Sequence, residues 1–406
     1  MLVPQNEYSR LMVEKFDERK TVPVPTAFQG AFYGREETGG KTIFSTNAKL
    51  IEIDIVRSTG NRLAQMVNRG TGSEDTSRIK NRKEGKYTNI GRQWPLVETT
   101  GSIENSELLD RPAGMNPYDT QTRQDRLTVK AMDIHAEDTK RHISTIEYLC
   151  REALFTGEHP AIFGTTNSNL IYDFYRNSDN FIPGSAVWTN AATDILGDID
   201  DGADVIQQNA YLFGDYGLVL DAAAFAGLKL NTVISGDADN RRFQFVALGG
   251  DIRELPTEFA KYRNNGFNPR GYLETPKGRK VWIFTYDLTF IDDFSTPGTD
   301  TVTPWIPAGK ALMFSPKARC DRYFGPPDRL PVTAQEAQWY REMFGFDMTS
   351  MPQLPAIQNA SVIDSRMFYC DAYVGPGNKA VFTRTQSAPI MPTTQTDAFV
   401  VFTGLI

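Results

Sequence analysis

Cysteine, histidine and long apolar runs are all scarce in this chain of 406 residues. The three cysteines, Cys150, Cys320 and Cys370, are odd in number and far apart, so they suggest neither a disulfide framework nor a CxxC zinc pattern. A reducing compartment fits. No apolar run approaches the ~18 residues of a membrane span, and the opening MLVPQNEYSRLMVEKFDERK lacks the basic-then-apolar order of a secretory signal. The expectation is a chain that stays in the cytoplasm where it is made and engages no membrane. Positive charge is not in excess either: 50 acidic against 43 basic residues leave a net charge of −7, which argues against a sequence-reading DNA-binding protein.

Chemistry-bearing patterns are equally thin. Neither a phosphate-cradling GxxxxGK nor a GxSxG elbow occurs, and the GPG at 375–377 lacks the strand, helix and third glycine of a dinucleotide fingerprint. His135 and His142 lie seven residues apart and His159 follows. Metal ligands on a helix usually sit three or four apart with a carboxylate or thiolate nearby, so a surface or core-edge role is the better reading. Asp198, Asp200, Asp201 and Asp204 lack the spacing and closing Glu of a calcium loop and suit a helix N-terminus instead. Asp292 and Asp293 are adjacent on a presumptive strand, so they point to opposite faces and do not easily flank one bond. The reading is no enzyme, no metal and no cofactor. A carbohydrate-active hydrolase using paired carboxylates among Asp198, Asp200, Asp292 and Asp293 is the alternative, and a tail or receptor-binding module would need repeats that are not visible.

What is present is a globular composition, 40% hydrophobic and 11% aromatic, in a chain long enough for two or three structural units. Residues 7–19 have helical spacing, after which Pro23 and Pro25 break the pattern into an extended arm. In KLIEIDIVR, Ile51, Ile53 and Ile55 alternate with Glu52 and Asp54, the period of a strand with one buried face. Then comes NRGTGSEDTSRIKNRKEGK, residues 68–86, with one aliphatic side chain, Ile79, and nine charges. Strand character returns only around Tyr87 to Val97, where Pro95 restricts it to an edge. The excursion from about Gly60 to Met115 is too long for an ordinary connection. It is either a disordered insertion or an arm whose partner is on another molecule. Residues 122–156 read as one helix of roughly 50 Å, with Ile143, Ile146, Cys150 and Leu154 on its apolar stripe, Glu147 and Arg151 off it, and Gly157 as its stop. From Asp194 helices and strands alternate: DIDDGADVIQQNAY, GLVLD, a helix capped by Asp221, VWIFTYDLTFIDD and KALMFSP. AVFTRTQ and AFVVF, joined through SAPIMPTTQTD, close the chain as strands bent by Pro389 and Pro392.

This order of parts, with four local stretches, resembles the tailed-phage major capsid protein E family, the lambda-type branch of the Hong Kong 97-type capsid fold. IEYLCREALFTGE (146–158) is similar to the end of the family's spine helix, and SNLIYDFYRN (168–177) to the strand that follows it. IPAGKALMFSPKARCDRYFGPPD (306–328) resembles its proline- and glycine-led strand, and TRTQSAPIMP (383–392) its closing strand. The resemblance implies an α+β fold with an N-terminal arm (1–48), an extended E-loop ribbon with flanking strands (49–118), a P-domain with the spine helix (119–190), an α/β A-domain (191–345) and return strands of the P-domain (346–406). It implies a major capsid protein assembling with itself into hexamers and pentamers of an icosahedral shell around double-stranded DNA, without sequence-specific DNA contacts. A decoration protein, a scaffold carried on a separate chain and a portal are the further partners expected. Such a protein is assembled in the host cytoplasm and ends in the virion. The E-loop would lie across a neighbouring subunit, with Arg69, Arg78, Lys80, Arg82, Lys83, Lys86 and Trp94 as its interface residues. Lys80, Lys83 and Lys86 are available for covalent linkage, but non-covalent reinforcement is the reading preferred.

Overall fold

The computed structural model describes residues 25–44, 51–56, 87–92, 94–104, 106–107, 123–160, 171–232, 234, 243–245, 255–292, 301–326, 367–374 and 380–406. The helix read at 7–19 and the six cations proposed for the interface, Arg69, Arg78, Lys80, Arg82, Lys83 and Lys86, lie outside the described residues.

In chain order, a short helix α1 (Ala27–Phe32) and strand β1 (Thr42–Phe44) precede the strands β2 (Ile51–Val56) and β3 (Tyr87–Arg92), then β4 (Val97–Glu104). The long helix α2 (Arg123–Thr156) follows, then the strands β5 (Glu158–Pro160), β6 (Ile171–Asp173) and β7 (Phe181–Pro183). Helix α3 (Ile195–Ala210), β8 (Tyr216–Leu220), helix α4 (Ala222–Leu230), β9 (Phe243–Phe245), helix α5 (Thr257–Asn264), β10 (Asn268–Glu274) and β11 (Lys280–Thr285) form the middle. The chain ends with β12 (Thr289–Asp292), β13 (Thr301–Pro304), β14 (Lys310–Phe314), β15 (Arg322–Phe324), β16 (Tyr369–Val374), β17 (Ala380–Ser387), β18 (Pro389–Ile390) and β19 (Phe399–Thr403).

A seven-stranded mixed sheet in the order β7-β19-β14-β8-β11-β10-β9 is the centre of the molecule. Its strand β8 is buried at every position, as the apolar run Tyr216–Leu220 requires of a central strand covered on both faces. Helix α4 starts where Asp221 accepts from the Ala224 N–H at 2.7 Å, the cap expected from sequence. Two of the seven strands, β7 and β19, come from outside residues 191–345, β7 running parallel to β19 and β19 antiparallel to β14. The final strands therefore separate: β19 joins this sheet, whereas β17 lies between β16 and β4 in a three-stranded sheet beside α2. The stretch Val97–Glu104, which lies within the sequence excursion, is thereby part of the body, paired residue by residue with β17.

Helix α2 runs 34 residues and so roughly 50 Å at 1.5 Å per residue. It stops where expected. Gly157 adopts a φ of 76°, the left-handed conformation that closes a helix, and its N–H donates to the Ala153 carbonyl at 3.2 Å. Arg176 completes the end by donating to the carbonyls of Leu154 (2.6 Å) and Ala153 (3.0 Å). Of the stripe as read, Ile146, Cys150 and Leu154 are buried and Ile143 is half-buried. Glu147 and Arg151, assigned to the polar face, are buried too, and their reason is tertiary.

Arg151 donates to the Trp305 carbonyl at 2.9 Å and lies over the rings of Tyr148 and Phe290. Glu147 serves α1. The N-cap of that helix, Thr26, makes no side-chain cap bond; instead the Phe28 and Gln29 N–H groups donate to the two Glu147 oxygens at 2.6 and 2.8 Å. Burial pushes the Glu147 carboxyl up to about 8, while these N–H groups and that of Ala27 pull it the other way. Helix α1 is itself a wedge. Phe28 meets Phe155 of α2, Phe267 and Tyr286, and Phe32 meets Tyr262, Phe314 and Phe399, with ring centroids 4.9 to 6.2 Å apart.

Glu147→Gln keeps the side-chain shape but leaves one buried N–H without an acceptor, an expected cost of about 1–3 kcal/mol. The wild-type carboxyl has a folded value above its unfolded 4.5, so its contribution is complete below 4.5 and lost as pH rises through about 8. Thermal midpoints of the two proteins should therefore differ most near pH 4.5 and converge toward pH 8; parallel curves would contradict this account.

Candidate functional site

Strands β2 and β3 form a two-stranded antiparallel ribbon with six register pairs, from Ile51 opposite Arg92 to Val56 opposite Tyr87. A ribbon of two strands is marginal alone and needs a surface to lie on. The alternating isoleucines supply the contact: Ile53 and Ile55, two apart and hence on one face, are fully buried against Ala153 at the end of α2, Tyr172, Phe174 and Ile390. Trp94 and Tyr323 are partly buried against the same cluster. Of the predicted interface residues Trp94 alone is described, and it lies at the ribbon's root, packed on its own subunit.

Beneath the root, β5 and β6 pair antiparallel, with His159 opposite Tyr172. The His159 ring is 4.7 Å from Tyr172 and 5.3 Å from Phe174, and its Nδ1–H donates to the Pro160 carbonyl at 3.2 Å. Burial lowers its pKa to about 4, which keeps the ring neutral at pH 7.

The N-terminal half of α2 faces β4 and β17 through polar side chains. His135 Nδ1 and Thr385 Oγ1 are 2.9 Å apart, His142 Nε2 and Thr99 Oγ1 are 3.1 Å apart, and Thr139 donates to the His135 carbonyl at 2.7 Å. Burial raises the Asp138 carboxyl in the same seam, and the Thr99 hydroxyl partly offsets it. Burial alone lowers His142 to about 4. The three histidines thus have separate partners, and among the described residues no group of three or more His, Cys, Asp and Glu is placed to hold a metal.

In the acidic cluster on α3, Asp201 is exposed, whereas Asp194, Asp198, Asp200 and Asp204 make structural contacts. Asp194 caps the helix by accepting from the Gly197 N–H at 2.9 Å. Asp198 accepts from Trp188 Nε1 at 2.9 Å and from the Ser185 N–H at 3.3 Å. Asp200 and Asp204 turn to Arg279, and Asp204 also pairs with Lys277. Asp198 and Asp200 therefore serve different partners and do not converge on one bond. The Asp292 side chain and Asp293 are outside the described residues.

The geometry is that of a scaffold: a ribbon seated on the end of a long helix, with its buried polar groups committed to holding elements together. A family model described as phage major capsid protein E matches residues 63–403. The chain is similar in structure to a protein assigned as the capsid protein of an E. coli CFT073 prophage, with a TM-score of 0.55 and 14% identity over 99% of each chain. At that identity the likeness shows a shared fold. Looser similarities are to the capsid of Ralstonia phage GP4 (TM-score 0.41, 11% identity, 95% of this chain and 92% of that one) and of cyanophage P-SCSP1u (0.41, 11%, 95% and 90%), and they carry no further argument. None of the curated proteins matches the sequence.

The neutral histidines have a pH consequence. The folded value of His142 lies below the unfolded 6.5, so its contribution is complete above 6.5 and is lost as pH falls toward 4. His142→Gln, which can still bond to Thr99, is expected to flatten the acid limb of the thermal-midpoint profile between pH 6.5 and 4. An acid limb of unchanged slope would remove His142 from the account.

Proposed function

The chain belongs to the phage major capsid protein E family, and on that premise we propose that its ribbon reaches a neighbouring subunit in a closed shell. The protein is a phage major capsid protein, a structural component of the virion, and the observation that carries this is the family match across residues 63–403. A hydrolase has no support: Asp198 and Asp200 are occupied with Trp188, Ser185 and Arg279.

In this reading the copies form hexamers and pentamers of an icosahedral shell around double-stranded DNA, assembled in the host cytoplasm with a scaffold and portal and later clamped by a decoration protein. Residues 49–118 act as the E-loop with flanking strands, 119–190 and 346–406 as the P-domain around α2, 191–345 as the A-domain and 1–48 as the arm. Strands β7 and β19 tie these divisions together, because both lie in the central sheet. A ribbon rooted on its own subunit by Ile53 and Ile55 supports a reach outward from a firm base. The charge supports it too. Arg69, Arg78, Lys80, Arg82, Lys83 and Lys86 make the 68–86 stretch basic on a chain of net charge −7, so its match is an acidic surface on an adjacent copy. The overall negative charge suits a container that must not grip packed phosphate.

Weak individual contacts are sufficient. A single contact of about −4 kcal/mol corresponds to ~millimolar affinity, yet a subunit held by several neighbours gains through effective concentration, and misplaced copies still dissociate during growth.

Expression with its assembly factors should yield megadalton particles by light scattering and closed shells by electron microscopy; a stable monomer or dimer under those conditions would contradict the shell reading. Mature shells boiled in denaturant should run as a single band at the monomer mass. A ladder above it would overturn non-covalent reinforcement.

A further inference from the structure

The ribbon rejoins the body at Trp94 and Pro95, between the end of β3 and the start of β4. Directly under that joint is Gly325, the residue after β15, buried and held by its N–H to the Ala388 carbonyl at 2.8 Å. A Cβ on Gly325 would lie 2.4 Å from Trp94 Cδ2, 2.6 Å from Cε3 and 2.8 Å from Cγ. Real Cβ atoms do not approach ring carbons so closely. No left-handed backbone demands a glycine at 325, so space alone does.

The contact is informative because of which indole atoms are involved. Cγ and Cδ2 are at the base of the ring, so the indole cannot slide aside; it must rotate away about its own Cα–Cβ bond or carry its backbone with it. Its backbone is the joint, and the ring also packs against the cluster of Ile53, Ile55, Ala153, Tyr172, Phe174 and Ile390. The indole thus sits between Gly325 and a cluster that joins ribbon residues to body residues. A rigid aromatic in that place fixes the angle between ribbon and body.

We infer that Gly325 and Trp94 are positioning residues for shell assembly, a glycine seat and an aromatic wedge that together aim the ribbon at the adjacent subunit. This inference rests on the reading of the ribbon as a neighbour-contacting arm. The ribbon is seated through Ile53 and Ile55 in the same cluster on which Trp94 packs, so a displaced indole disturbs that seat and with it the direction in which the strand leaves the body.

The test compares Gly325→Ala in two backgrounds, wild type and Trp94→Leu, where the smaller side chain makes room for the methyl group. Each protein is expressed with its assembly factors, shells are counted by light scattering and imaged by electron microscopy, and unassembled subunits are followed by circular dichroism. Gly325→Ala should leave the subunit folded and lower shell yield about tenfold in the wild-type background; Trp94→Leu, which removes the wedge, should itself lower it about as much, and adding Gly325→Ala to Trp94→Leu should cost less than about twofold more. Equal losses in both backgrounds, undiminished shells, or a Gly325→Ala subunit that no longer folds would each overturn the inference. Wild-type shells whose ribbon lies along its own subunit would overturn the neighbour reading instead, while unequal losses would still establish the joint.

Discussion

Two backbone N–H groups at the start of a six-residue helix have no partner within it, and a carboxyl 119 and 118 residues away satisfies them. The rest of the fold depends on this. Helix α1 is too short to be stable by its own hydrogen bonds, so it exists only where something holds it. Glu147 fixes it to the long helix, and Phe28 and Phe32 then insert between that helix and the central sheet. Without α1, the helix and the sheet would face each other across a gap lined by Phe155, Phe267, Tyr286 and Phe314. An aromatic wedge close-packed between the two gives that joint stiffness.

The long helix changes character along its length. Its C-terminal half is seated by Ile146, Leu149, Cys150 and Leu154, and there the ribbon, the β5–β6 pair and the central sheet converge. Its N-terminal half meets β4 and β17 through His135, Asp138, Thr139 and His142. Burial shifts His142 and His159 toward neutral rings and Asp138 and Glu147 toward neutral carboxyls, so these buried groups act as hydrogen-bonding rather than charged partners. Hydrogen bonds of that kind require particular partners, whereas an apolar seam would tolerate sliding. The polar half thus sets register and the apolar half sets adhesion.

The absence of any convergent pair on α3 follows from the same economy of partners. A carboxylate already accepting from Trp188 or paired with Arg279 has little left to offer a substrate. Asp194, Asp198, Asp200 and Asp204 secure the helix to its surroundings.

The sequence alone determined what depends on near neighbours. The helix Arg123–Thr156 and its Gly157 stop, the Asp221 cap, the buried strand Tyr216–Leu220 and the inward isoleucines 53 and 55 follow from periodicities of 3.6 and 2 and from termini that need partners within a turn. Even the bare stretch 68–86 stood out by what it could not bury. Tertiary structure decided the rest. Glu147 and Arg151 read as solvated charges because spacing places them off the stripe, and only α1 and Trp305 explain their burial. AVFTRTQ and AFVVF read alike, yet they enter different sheets because β17 finds β4 and β16 as neighbours and β19 finds β14 and β7. Gly325 carried no signal, since a glycine kept for close approach looks like any other until the indole that needs the space is in place. Spacing along a chain reports the geometry of a turn or a strand, and it contains no distance between residues hundreds of positions apart.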